Sequence, residues 1–119
     1  MGKCIFEKAH VHTLEAMKKM ALKENEVAKI CNVFRLLGEP SRFKIVYALL
    51  QGELCVYHLA EITGGTVSNV SHQLRILRDN GIVKTRRIGK NIEYSIADHH
   101  IKNIIEMGLE HLQCQAVEA

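Results

Sequence analysis

With 119 residues, 47% of them hydrophobic and 24% charged, the chain is long enough for one small domain with a modest core. Aromatic residues make up 5%, Trp is absent and Pro occurs once, which favours helices over a sandwich or barrel. A net charge of +3 is mild, so any contact with nucleic acid must come from a local basic face rather than from a basic tail. No apolar run approaches the roughly 20 residues of a membrane span. Met1 to His12 carry charges and lack the apolar segment of a signal peptide. The expectation is a cytoplasmic protein with no membrane partner. The four cysteines, Cys4, Cys31, Cys55 and Cys114, form no CxxC pair. In a reducing compartment that pattern argues for ligation, thiol sensing or burial rather than a disulfide framework.

Residues 1–12 are expected to form a flexible arm, and residues 13–119 a single folded domain. A helical pattern runs from Thr13 to Leu37 with a break near Lys23–Asn25. Val27, Ile30, Cys31, Phe34 and Leu37 form its apolar face, which places Cys31 in the core. Gly38-Glu39-Pro40 ends this helix, and Ser41 starts another through Ile45, Val46, Leu49 and Leu50. After the turn at Gln51-Gly52-Glu53, Leu54 to Thr63 reads as a short helix. Gly64-Gly65 turns the chain, and Thr66 caps a helix running to Asp79.

Two short helices joined by a glycine turn form a helix-turn-helix, which places its second helix in a DNA major groove. Val67, Val70, Leu74 and Leu77 give that second helix a buried stripe. Its remaining surface carries Ser68, Asn69, Ser71, His72, Gln73, Arg75 and Arg78, side chains suited to base edges and phosphates. Asp79 is the only acid between Thr66 and Thr85, whereas an ordinary solvated helix face carries more. Ile82–Ile88 and Ile92–Ile96 then alternate apolar and polar residues around Gly89-Lys90-Asn91, the pattern of a β-hairpin. Arg86, Arg87 and Lys90 put positive charge at its tip, as a wing along a phosphate backbone requires. The fold expected is mainly α with a small β-hairpin, a winged helix-turn-helix.

The last helix opens with Asp98-His99-His100 and closes with His111-Leu112-Gln113-Cys114. Ile101, Ile104, Ile105, Leu109 and Leu112 fall between them at helical spacing. His100 and His111 lie close to three turns apart, on one face but roughly 16 Å from each other along the axis. Zinc–nitrogen bonds are only about 2 Å long, so a single copy of this helix cannot close a site with both ends. Two copies crossing antiparallel bring Asp98 and His100 of one subunit to His111 and Cys114 of the other. The spacing therefore predicts a homodimer through its terminal helices with metal bound across the interface. Asp98 also suits the helix N-cap.

The stretch ELCVYHLAEITGGTVSNVSHQLRILRDNGIVKTRRIGKNIEYSIADHHI (Glu53 to Ile101) resembles the ArsR/SmtB family of metal-responsive transcriptional repressors, in particular its zinc-sensing branch. The likeness extends from Asn32, through LLGEPSRFKIVYALL, to His111-Leu112-Gln113. It implies a homodimeric repressor that sits on palindromic double-stranded operator DNA when metal-free and releases it on binding metal. The genes so controlled would serve metal efflux or sequestration. By position, Ser68, Ser71 and His72 become recognition residues with Gln73 and Arg75 beside them, and Asp98, His100, His111 and Cys114 become the interfacial ligands.

The zinc branch typically carries a carboxylate or His where Cys114 stands. A thiolate there suits Zn(II) and shifts preference toward Cd(II) or Cu(I). Some members hold thiophilic metals with an ELCVC cysteine and the N-terminal arm of the partner. That likeness makes Cys4, His10, His12, Cys55 and His58 a second candidate site. Tyr57 stands at the second cysteine of that motif, so a mixed Cys/His set would suit Zn(II) better than Pb(II).

No HExxH or comparable motif supports a metal-dependent hydrolase, and the expectation is that the chain is not an enzyme. The alternative on the same fold is a thiol-based redox or sulfide-sensing repressor using Cys55 and Cys114.

Overall fold

The computed structural model describes residues 7–118, with side chains described for 13–114. In chain order the elements are α1 (Glu7–Met20), α2 (Glu24–Leu37), α3 (Pro40–Leu49), α4 (Val56–Thr63), α5 (Val67–Asp79), β1 (Val83–Ile88), β2 (Asn91–Ile96) and α6 (His99–Glu118). The chain divides into two units, 1–31 and 32–119.

In the first unit, α1 begins at Glu7, so the backbone from Glu7 to His12 is helical where the sequence predicted an irregular arm. Residues 1–6, the rest of that arm, lie outside the described residues. The helix break falls at 21–23. There the Lys23 backbone N–H donates to Glu26 Oε1 at 3.0 Å, half of a capping box that starts α2. Cys31 is exposed rather than in the core, and Val27 and Ile30 are exposed with it.

In the second unit, the end of α2 contributes Leu36 and Leu37 to the core while Phe34 remains 54% exposed. The predicted apolar face of α2 is therefore only partly used inside one protomer. Pro40 occupies the first turn of α3, where its missing N–H costs nothing. The Glu39 carboxylate caps that helix by accepting from the Arg42 backbone N–H at 2.9 Å. This hydrogen bond, with those from Ser41, holds the Glu39 carboxyl below its usual range despite some desolvation.

Leu54 departs from the expected helix. Its backbone pairs with Tyr94, N to O at 3.1 Å and O to N at 2.8 Å, so it adds a single bridge beside the hairpin. Only then does Cys55 become the N-cap of α4, without a capping side-chain hydrogen bond. The hairpin is antiparallel with Val83 opposite Ile96 and Ile88 opposite Asn91, and Gly89 takes the positive φ its tight turn needs.

One core joins these elements. Ile45, Val46 and Leu49 of α3, Leu59 of α4, Val70, Leu74 and Leu77 of α5, Ile82 and Val83 at the hairpin, and Ile101 and Ile105 of α6 are all buried in it. No described side-chain polar atom is buried without a hydrogen-bond partner. Leu74 is fully buried at the centre of α5. Leu74→Ala should lower the unfolding free energy by about 2–5 kcal/mol in urea titrations; a loss below about 1 kcal/mol would contradict this packing.

Candidate functional site

The candidate reading helix α5 is defined at both ends. At its start, Thr66 Oγ1 accepts from the Asn69 backbone N–H at 3.1 Å, the cap expected from the sequence. At its end the Ile82 N–H reaches Leu77 O at 2.9 Å and the Gly81 N–H reaches Arg78 O at 3.1 Å, with Gly81 at φ 73°. This is a Schellman stop, which requires a left-handed residue that glycine supplies without strain. Val70, Leu74 and Leu77 bind α5 to the core, leaving Ser68, Asn69, Ser71, His72, Arg75 and Arg78 exposed. Val67, predicted within the buried stripe, is 39% exposed. Gln73 is half-buried.

Two side-chain tethers, neither evident from the sequence, fix α5 laterally. Arg42 of α3 donates through Nε to Leu36 O at 3.0 Å and through Nη1 to Gln73 Oε1 at 3.3 Å. Asn32 of α2 donates through Nδ2 to Asn80 Oδ1 at 3.1 Å, while Asn80 Nδ2 donates to Ile76 O at 2.8 Å. Asn32 in turn accepts from Arg35. These partners lie 31 and 48 residues apart in the chain, beyond the reach of any local pattern.

The predicted wing carries its basic residues unequally. Arg86 forms a two-pronged ion pair with Glu53, Nη2 to Oε1 at 2.6 Å and Nε to Oε2 at 3.2 Å. Its guanidinium is thus committed within the protein, where it ties the strand to the chain just before Leu54. Lys84, Arg87 and Lys90 are exposed and form no ion pair among the described residues.

The start of α6 gathers two of the predicted metal donors. Asp98 Oδ1 accepts from the backbone N–H groups of His100 (2.9 Å) and Ile101 (3.3 Å), so it caps the helix. The same oxygen lies 3.2 Å from His100 Nδ1. Partial desolvation would raise the Asp98 pKa, but the hydrogen bonds from Ile101 and His100 outweigh it and hold the carboxyl below its usual range. None of the hydrogen bonds among the described residues uses Asp98 Oδ2. When neutral His100 donates from Nδ1, its lone pair is left on Nε2. The His99 ring lies against that of His100, centroids 4.0 Å apart.

Further along α6, His111 and Cys114 sit one turn apart and are both exposed. Within one protomer, no three His, Cys, Asp or Glu side chains among the described residues are placed to share an ion. Of the second candidate site, Cys4 lies outside the described residues, and His10 and His12 lie in α1 with side chains that are not described. Cys55 is half-buried at the α4 N-cap, and His58 is exposed in the first turn after it.

A capped helix-turn-helix with a buried stripe and a polar outer face, followed at once by a basic two-stranded hairpin, defines a winged-helix DNA-binding protein. Residues 39–85 match the family model described as bacterial regulatory protein, arsR family. The chain is 38% identical over 104 residues to a transcriptional repressor SmtB homolog of Synechocystis, covering 87% of this chain and 79% of that protein. It is 37% identical over 114 residues to a cadmium resistance transcriptional regulatory protein CadC homolog of Staphylococcus aureus, covering 93% of each. A homodimeric winged helix-turn-helix DNA-binding domain from Mycobacterium bovis, solved in solution, superposes with a TM-score of 0.69 at 25% identity. That match covers 82% of this chain and 93% of the other. The chain belongs to the ArsR/SmtB family of DNA-binding transcriptional repressors and is a regulator rather than an enzyme. No helix among the described residues is long and apolar enough to cross a membrane.

The unequal wing gives a direct prediction. Arg87→Ala should lower DNA affinity and reduce the salt slope of binding by about one counterion per protomer. Arg86→Ala should change that slope less, because its charge is already neutralised by Glu53. Salt-dependent fluorescence anisotropy on one duplex distinguishes them, and a larger slope change for Arg86→Ala would contradict the assignment.

Proposed function

We propose that this repressor is released from its operator by a thiophilic divalent metal, Zn(II) or Cd(II), held between two copies of α6. The observation that carries the reading is the distribution of donors on that helix. Asp98 and His100 touch at its exposed start, while His111 and Cys114 are exposed close to three turns later. An aspartate oxygen, two imidazoles and a thiolate make a complete tetrahedral set for either ion. It is a set no single copy of a straight helix can assemble.

The apolar surface supports a second copy as the source of the missing half. Phe34, Leu37, Phe43, Ile104, Leu109 and Leu112 line an open groove of about 360 Å³ between α2, α3 and α6. Phe34 and Leu112 are 54% and 60% exposed, an apolar exposure that a homodimer through the terminal helices would cover. Asp98 and His100 of one protomer would then ligate together with His111 and Cys114 of the other. Such ligation cross-links the two helices and so fixes the spacing of the two reading helices.

Ile101 and Ile105 of α6 lie in the same core as Leu74 and Leu77 of α5. A displacement of α6 therefore reaches the DNA-reading surface through close-packed side chains. If the cross-linked spacing mismatches successive major grooves, roughly 34 Å apart, operator affinity falls. By linkage, DNA must weaken metal binding to the same degree. The bases read would face Ser68, Asn69, Ser71, His72 and Arg75, with Arg78, Arg87 and Lys90 on phosphates.

The test is operator binding by fluorescence anisotropy with Zn(II), Cd(II) or a chelator, for wild type and His100→Ala. Metal should weaken wild-type binding by about five- to 150-fold, the usual span of allosteric coupling, and leave the variant bound. Release that survives His100→Ala would move the switch to Cys55, His58 and the N-terminal segment. No metal effect in wild type would overturn the reading and favour a thiol switch through Cys55 and Cys114.

A further inference from the structure

Beside the reading helix lies a pocket of about 250 Å³ that the recognition residues alone do not account for. Ser41, Lys44 and Ile45 of α3 form one wall, Thr63, Gly64 and Gly65 of the turn form the floor, and Asn69, Val70 and Gln73 of α5 close it. No carboxylate lines it. Glu39, the acid nearest in sequence to Ser41, is engaged by the Arg42 and Ser41 N–H groups and the Ser41 hydroxyl at the α3 N-terminus. Lys44 is exposed and forms no ion pair among the described residues.

The polar groups of this pocket sort by what they have already satisfied. The Thr63 hydroxyl donates to Leu59 O at 2.7 Å, and the Gly64 and Gly65 N–H groups donate to Ala60 O. Gln73 Oε1 accepts from Arg42 Nη1, and Arg42 is itself held by Leu36 O. The Arg42 bond turns the Gln73 carbonyl oxygen toward α3, and its amide N–H donors are used by no hydrogen bond among the described residues. Together with the Lys44 ammonium and the Asn69 amide, they make a cleft rich in unspent donors, with a net positive charge and no competing acid. That chemistry fits an anion, and the cleft opens beside the face of α5 on which DNA must lie.

We propose that this cleft seats one backbone phosphate of the bound DNA. Lys44 supplies the charge and Gln73 supplies a hydrogen bond, with its amide oriented by Arg42. Gln73 then acts as a register-setting phosphate contact rather than a base reader, and Lys44 extends the footprint from α5 and the wing to α3. A phosphate clamped between α3 and α5 fixes the depth and angle at which the reading helix enters the groove. The inference rests on DNA binding but is independent of which signal releases it.

The test measures affinity across a salt titration on operator and random-sequence duplexes, without metal, for wild type, Lys44→Ala, Lys44→Arg and Lys102→Ala. Lys102 lies on α6, outside the reading helix, wing and pocket, and controls for loss of one positive charge per protomer. Lys44→Ala removes one contact from each protomer, so it should flatten the salt slope by about 1.8 for a dimer and weaken binding roughly 60-fold near 0.1 M salt, equally on both duplexes. Lys44→Arg should keep the wild-type slope, and Lys102→Ala should leave slope and affinity close to wild type. An unchanged slope for Lys44→Ala, or one no different from Lys102→Ala, would overturn the proposal. A loss confined to the operator would also overturn it, since a phosphate carries no sequence. Failure of wild type to bind either duplex would instead overturn the function itself.

Discussion

The reading helix and the candidate metal helix are anchored in one hydrophobic core, and the behaviour of the molecule depends on that sharing. Val70, Leu74 and Leu77 on one side and Ile101 and Ile105 on the other are buried in a single cluster with Ile45, Val46 and Leu59. Close packing transmits displacement because there is little void to absorb it. Both helices belong to the same compact unit, residues 32–119. A signal received on α6, as proposed, would therefore reach α5 through a few buried aliphatic side chains. The polar tethers from Asn32 and Arg42 add direction to that coupling, because they tie α5 to α2 and α3 at Asn80 and Gln73.

The same economy shows in how single residues serve two ends. Asp98 caps α6 through one carboxylate oxygen and leaves the other without a protein partner among the described hydrogen bonds. The N-terminal turn is thereby held in shape by the protein itself, which would lower the ordering cost of the proposed ligation. The lowered pKa of Asp98 extends the ionised form, which the cap uses, to more acidic pH. Gln73 is likewise fixed from behind by Arg42 while its donors remain on offer.

Much of this was legible in the sequence, for identifiable reasons. The Thr66 cap, the glycine turn at Gly64-Gly65, the end of the reading helix at Asp79 and the two strands of the hairpin rest on local signals, and each falls within a residue of its expected place. The errors arose where a distant partner decides. Val27, Ile30, Cys31 and Phe34 have helical apolar spacing, but periodicity cannot say whether the surface they cover belongs to the same copy. Leu54 has the composition of a helix start, yet Tyr94 draws it into a bridge. Arg86 stands in the wing as expected, but its pairing with Glu53, 33 residues earlier, has no local signal. The helical backbone from Glu7 was missed because the segment is charged and offers no strong apolar stripe.

The central claim is that the metal site is completed by two copies of the chain, and subunit mixing tests it directly. His100→Ala and His111→Ala homodimers should each remain on operator DNA when Zn(II) is added. In a heterodimer of the two, one site loses both imidazoles, while the other combines the intact His100 of one chain with the intact His111 of the other. Tagged heterodimers should therefore recover one high-affinity Zn(II) per dimer, together with metal-dependent DNA release, in full or in part. Heterodimers that bind no more tightly than either parent would contradict a shared site, as would full metal binding by either single variant alone.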